Sequence, residues 1–114
     1  MTYEAFDVVV VPFPFTDRKA TKRRPALVLS RADTFGARIG HSVFAMITSQ
    51  GRVSWPLDVP IADGGSAGLL APSLVRMKLF TLDHRLILRK AGQLVRSDQQ
   101  AVVDALKQLL VITK

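Results

Sequence analysis

Residues 7–30 read DVVVVPFPFTDRKATKRRPALVLS. Two apolar runs, DVVVVPF at 7–13 and PALVLS at 25–30, flank a polar connection. Each run is short, rich in aliphatic and β-branched residues and bounded by proline or loop residues, the pattern of a strand. Within the connection and its exit, RKATKRRPA at 18–26 holds five cations: Arg18, Lys19, Lys22, Arg23 and Arg24. Like charges crowded at the mouth of a strand repel one another, and a polyanion relieves that repulsion. The competing reading of the same residues is a solvated turn with no specific partner.

The strand pattern continues outward. SVFAMIT at 42–48 is a third run, and SLVRMKLF at 73–80 is another. WPLDVPI at 55–61 alternates Leu57, Val59 and Ile61 with Asp58 and Pro60, and its prolines make it an edge strand or an irregular one. ADGGSAG at 62–68 reads as a flexible loop. TLDHR turns the chain, and LILRKAGQL at 86–94 suits a strand or a short helix. In the last segment Ser97 is followed three residues later by Gln100, a capping-box pattern, and Asp98 complements the positive end of a helix dipole. Val102, Ala105, Leu106, Leu109 and Leu110 fall on one face, which predicts an amphipathic helix over about 98–110. The expectation is one domain over 1–114, mainly antiparallel β, a small barrel closed by a C-terminal helix.

Composition narrows the function classes. A chain of 114 residues, 48% hydrophobic, can bury a core without staples. It has no cysteine, which excludes disulfides and thiolate-bound zinc. The N-terminus MTYEAFD lacks a basic n-region, and no apolar run approaches the roughly 20 residues that span a bilayer. A cytoplasmic protein without membrane partners is expected. Sixteen basic residues against nine acidic ones leave a net charge of +7, and a domain so basic usually meets a polyanion.

The chemistry-bearing residues are cations and hydroxyls. The only histidines, His41 and His84, are far apart in sequence, no HExxH pattern occurs, and no metal site is expected. There is no phosphate-cradling glycine loop of the P-loop or dinucleotide type, so no cofactor is expected. Arg24 precedes Pro25, which biases its backbone to an extended shape and leaves its planar fork beside the sheet, suited to gripping a phosphate. In MITSQGR at 46–52 a strand ends in Thr48 and Ser49, followed by Gln50 and Arg52. Hydroxyls at a strand end bind phosphate or ribose oxygens, or cap their own turn. Arg76 and Lys78 share strand parity and point to one face, where with Arg24 they could form a positive groove. Trp55 suits base stacking or ordinary packing.

Three signals in order, FDVVVVPFPFTDRKATKRRPALVLS, FAMITSQ and GLLAPSLVRMKLFTLD, together resemble the MazF/PemK toxins of type II toxin–antitoxin systems, and the likeness extends to the helical end DQQAVVDALKQLL. The resemblance implies an SH3-like antiparallel β barrel of the MazF/CcdB type with added helices, usually homodimeric. It implies a ribosome-independent endoribonuclease that cuts single-stranded RNA at short sequences without a metal, leaving a 2′,3′-cyclic phosphate and a 5′-hydroxyl. It implies an antitoxin partner whose acidic flexible tail occupies the RNA groove, and DNA binding by the toxin–antitoxin complex. The family's arginine before the proline falls on Arg24 and its catalytic threonine on Thr48, with Ser49 beside it. Arg76 matches an arginine assigned an acid–base role, but Lys78 stands where some relatives carry aspartate, which leaves the general base unidentified. Arg18, Lys19, Lys22 and Arg23 are expected to track the RNA backbone, with Gln50, Arg52, Trp55 and Lys78 as further RNA contacts. Two alternatives remain at this level: a nonenzymatic RNA-binding barrel, and a protein-directed toxin like the gyrase poisons of the same fold.

Overall fold

The computed structural model describes residues 2–13, 22–51 and 53–112. Arg18, Lys19 and Arg52, together with Thr16 and Thr21, lie outside the described residues. Six strands form one antiparallel sheet: β1 Asp7–Phe13, β2 Lys22–Val28, β3 His41–Ser49, β4 Val59–Pro60, β5 Ser73–Asp83 and β6 Arg89–Gln93. Their order is β4-β5-β3-β2-β1-β6, and the sheet curls into a half-barrel. A π-helical turn at Ala32–Gly36 leads into α1 at Ala37–Ile39, and the chain then passes through Gly40 at φ +72°. α2 spans Arg96–Leu109.

The alternation of side chains along each strand sorts the core into two faces. Val8, Leu27, Ala45, Ile47 and Val75 join Val102 and Ala105 of α2 in the larger apolar cluster. Val9, Val11, Ala26, Val28, Phe44 and Leu82 form a second cluster from the opposite face, where Phe44 stacks on Phe80 at 5.2 Å between ring centres. Further along that second face apolar residues give way to Arg24, Thr48, Arg76 and Lys78. One sheet thus presents aliphatic packing on one side and, at one end of the other side, a cationic surface.

Several elements depart from the sequence expectation, each for a physical reason. β2 begins at Lys22 instead of Pro25: its first residues pair with β1 alone, the ladder to β3 starting only at Ala26, and a strand open on one side tolerates a proline. β4 is only two residues of the expected 55–61 segment, since Pro56 before it and Pro60 within it have no N–H to donate. The helix begins at Arg96, so Ser97 lies inside its first turn and the position before it is Val95, with no side-chain cap. Asp98 is buried there, but its two oxygens accept from the backbone N–H groups of Ala62 and Asp63, each at 3.0 Å.

That contact changes the reading of residues 62–68. The segment is tied down: Ser66 N donates to Asp63 Oδ1, Leu69 N to Gly64 O, and Gln93 N of β6 to Ser66 O. It bridges the two edges of the curled sheet. Gly68 sits at φ +76°, and a Cβ there would meet the Ala91 carbonyl oxygen at 2.2 Å. A Cβ on Gly92 would meet the Ser66 carbonyl oxygen at 2.4 Å. The glycines serve close backbone approach, and the loop is a strap.

Candidate nucleic-acid interface

The site is assembled by strand register. β2 and β3 pair Val28 with Phe44, Leu27 with Ala45 and Ala26 with Met46. The ladder ends there; parity two residues further on puts Arg24 and Thr48 on the same face, and both line the same depressions. On the other side of β3, Met46 faces Arg76 of β5. The β3–β5 register jumps by two residues at this point, from Ala45↔Leu79 to Met46↔Arg76, so Met77 and Lys78 are extra residues on β5. A two-residue insertion preserves side-chain parity, so Lys78 stays on the face of Arg76. The shared face anticipated for Arg24, Arg76 and Lys78 is present: all three line one depression, of about 170 Å3, together with Phe13, Met46, Ile47, Thr48 and Trp55.

A second, larger depression of about 470 Å3 adjoins it, walled by Leu69, Leu70, Leu88, Ser73 and Arg89. Arg24 and Thr48 line both depressions, so they form the rim between them. Arg23 and Ser49 face the larger one. Lys22, Arg23, Ser49 and Lys78 are exposed, whereas Arg24 and Thr48 are half-buried. The Arg24 guanidinium lies over the Phe13 ring at 5.8 Å, with the Lys78 ammonium 6.0 Å from the same ring centre. Neither Arg24 nor Lys78 has a carboxylate partner among the described residues. Gln50 is anchored through its amide: Nε2 donates to Ser73 O at 2.9 Å, and its backbone N donates to Pro72 O at 3.1 Å.

Arg76 differs from the other cations. Its Nε donates to Asp58 Oδ1 at 3.1 Å, its Nη2 to Asp58 Oδ2 at 3.0 Å, and Nη2 also to Val53 O at 2.8 Å. The fork hydrogen bonds hold the Asp58 carboxyl below its ordinary value and raise Arg76 above its own. A guanidinium so stabilised is a poor proton acceptor. Asp58 entered the sequence reading only as a polar alternate in an apolar run. Its one available signal was an isolated acid beside Trp55 in a cationic setting. No histidine or carboxylate lines either depression among the described residues. His41 opens β3 seven residues from Thr48, or about 23 Å along the strand. It is therefore remote from the rim.

The arrangement can hold a phosphate at Arg24 and Thr48, with a neighbouring group in each depression. A curled antiparallel sheet with such a cationic strand-end cleft defines a class, and residues 4–110 match the PemK-like, MazF-like toxins of type II toxin–antitoxin systems. The chain belongs to that family. Among solved structures it is similar to a MazE–MazF crystal structure from Deinococcus radiodurans (TM-score 0.76, 21% identity, 99% of each chain covered). It is also similar to the Mycobacterium tuberculosis toxin MazF-mt6 (TM-score 0.71, 22% identity, 95% of this chain and 99% of that chain). A mycobacterial endoribonuclease in complex with its cognate antitoxin has the same fold (TM-score 0.75, 13% identity, 99% and 97% covered). No curated protein matches the sequence. No helix among the described residues is long and apolar enough to cross a membrane.

Proposed function

We propose that this chain is an endoribonuclease toxin that cuts single-stranded RNA without a metal and is held inactive by a cognate antitoxin. The observation that carries the reading is the rim: a half-buried arginine and a strand-end threonine, shared by two depressions in a chain of charge +7. In the reaction the ribose 2′-oxygen loses its proton and attacks the adjacent phosphorus. The bond from phosphorus to the 5′-oxygen breaks, and that oxygen takes up a proton. The products are a 2′,3′-cyclic phosphate and a 5′-hydroxyl. Arg24 stabilises charge on the phosphorane oxygens, and Thr48 and Ser49 donate to the phosphate or hold the ribose. Arg76, its charge matched by Asp58, is held on the facing wall. The proton acceptor is left unassigned: His41 is remote, and the Asp58 carboxyl is engaged by Arg76 and Trp55.

Lys22, Arg23 and Lys78 track the RNA backbone on either side, together with Arg18, Lys19 and Arg52 of the undescribed residues. An antitoxin with an acidic flexible tail competes with RNA for these same cations. The complexes with antitoxin among the structural neighbours support such a partner. A homodimer is part of the reading, supported by the exposed leucines Leu70 and Leu88 beside the larger depression. Light scattering tests it.

The deciding experiment is cleavage of varied single-stranded RNAs in EDTA by wild type, Arg24→Ala and Thr48→Ala, reading the end chemistry. Discrete cuts with cyclic-phosphate ends, lost in Arg24→Ala, support the reading. Folded wild type that binds RNA and leaves it intact makes the chain a nonenzymatic RNA-binding barrel. Absence of both binding and cutting points to a protein-directed toxin.

A further inference from the structure

The wall facing Arg24 is organised around one carboxylate. Asp58 holds Arg76 through two hydrogen bonds, and its Oδ2 also accepts from Trp55 N at 2.8 Å. The Arg76 guanidinium lies over the Trp55 ring, 5.0 Å from its centre. Between them, Leu57 takes a left-handed φ of 67° and packs into the larger apolar cluster, anchoring the turn from beneath. A non-glycine residue in that conformation persists where its surroundings over-determine it. The Arg76 and Asp58 side chains are 18% and 11% exposed, whereas Trp55 is 41% exposed. The indole is therefore a rigid apolar plate, backed by a guanidinium and open to the cleft.

Charge divides the smaller depression the same way. Arg24 and Lys78 are unmatched among the described residues, so an anionic phosphate is drawn to their side. The Arg76 charge is matched by Asp58, so the Trp55 side is close to neutral and suits a flat base. We propose that Trp55, set by Arg76 and Asp58, is the stacking platform for an unpaired nucleobase next to the phosphate held at Arg24, and that Asp58 is its positioning residue. The inference rests on the single-stranded RNA binding proposed above and needs no cleavage. Stacking on an aromatic side chain tolerates every base, so the platform orients the strand and leaves sequence readout to other contacts.

Trp55 is the only tryptophan in the sequence, so indole emission reports this one place. The probes are fully 2′-O-methylated single-stranded oligonucleotides of varied sequence, which cannot form the cyclic phosphate, and inorganic polyphosphate, which has no bases. Binding is followed by anisotropy with labelled oligonucleotides, and by competition for polyphosphate. Oligonucleotides are expected to quench Trp55 in step with binding, and polyphosphate to bind without quenching. Trp55→Leu should weaken oligonucleotide binding roughly 5- to 100-fold and leave polyphosphate binding unchanged. Asp58→Asn keeps an oxygen for Trp55 N but frees the Arg76 charge. It should reduce the quench and steepen the slope of log affinity against log salt by roughly 0.7, one added cation. A role of Asp58 in folding alone would lower the melting temperature with that slope unchanged. Oligonucleotide binding with unchanged indole emission overturns the platform. No oligonucleotide binding overturns both the platform and the RNA reading. Quenching without cleavage of natural RNA sustains the platform and sinks the nuclease.

Discussion

The two ends of β3 carry similar atoms in opposite circumstances. At its far end Thr48 and Ser49 meet Arg24 at an open rim. At its start Ser42 Oγ lies 2.7 Å from His84 Nε2, with Asp83 next in the chain and His41 Nε2 4.0 Å from the Asp83 carboxylate. By residue type the second end looks more like a hydrolase, with serine, histidine and aspartate together. Ser42, however, is completely buried, and a Cβ on Gly36 would sit 3.3 Å from its hydroxyl. The Asp83 oxygens accept from Arg85, through both its backbone N–H and its guanidinium. The Tyr3 ring meets the His84 ring edge-on at 5.0 Å. That hydrogen bond satisfies the buried Ser42 hydroxyl and the half-buried His84 ring, whereas the rim presents hydroxyls and unmatched cations to solvent. Access and uncompensated charge, more than residue identity, separate a reactive site from a structural one.

The largest expected effect breaks the comparison at its strongest point. Arg24→Ala should lower the cleavage rate about 100- to 1000-fold. Ser42→Ala should leave cleavage intact while costing about 1 kcal/mol of stability, because the half-buried His84 nitrogen loses its partner. A folded Ser42→Ala protein without activity would reverse the assignment of the two ends. Thr48→Ala should cost about 10- to 100-fold in single-turnover cleavage, the scale of one hydrogen bond to a charged group, and Thr48→Ser should restore most of it.

Smaller effects sharpen the comparison through stability. Asp98→Ala strands the Ala62 and Asp63 N–H groups and loosens the strap that bridges the curled sheet. A loss of about 2–4 kcal/mol is expected in urea unfolding, and an unchanged midpoint would show the strap to be dispensable. The two ends should also differ in their response to acid. The Asp58 carboxyl is held below its ordinary 3.8 by the Arg76 fork, so its stabilisation is full above that value and is lost as pH falls through the lower folded value. Burial pushes His84 below its ordinary 6.5. Above 6.5 the imidazole is neutral in both states. As pH falls from there towards the folded value, the unfolded chain takes up the proton and stability declines. His84→Gln should flatten that near-neutral part of the curve of melting temperature against pH and leave the acid limb near Asp58 unchanged. An unaltered near-neutral slope would remove His84 as its source.

Much of this molecule was open to reading along the chain, because short-range patterns carry it. The DVVVV and SVFAM runs specify strands through their apolar content and length, and Val102, Ala105 and Leu106 of the expected stripe form the packed side of α2, whereas Leu109 and Leu110 at its end are exposed. The RP and TS pairs marked Arg24 and Thr48. The capping box misled because Ser97 and Gln100 describe a local option, while Asp98 turned its oxygens to the strap, a partner more than thirty residues away. ADGGSAG misled for the related reason that glycine composition signals both freedom and close approach. Only the packed backbone distinguishes them.

The amino-acid sequence by itself determined the strand content, the amphipathic helix, the excess of positive charge and the family to which the chain belongs. The tertiary structure alone decided which charges meet. Arg24 and Thr48 come to one rim because β2 and β3 pair from Ala26 opposite Met46, and Arg76 instead of Lys78 stands opposite Met46 because β5 carries two extra residues at that point. It also decided that Arg76 is matched by Asp58 while the buried Ser42 and the half-buried His84 at the other end of β3 hold each other. Strand propensity is a property of neighbours in the chain. Register, burial and ion pairing are set by groups remote in sequence, whose combined free energy selects one alignment among many.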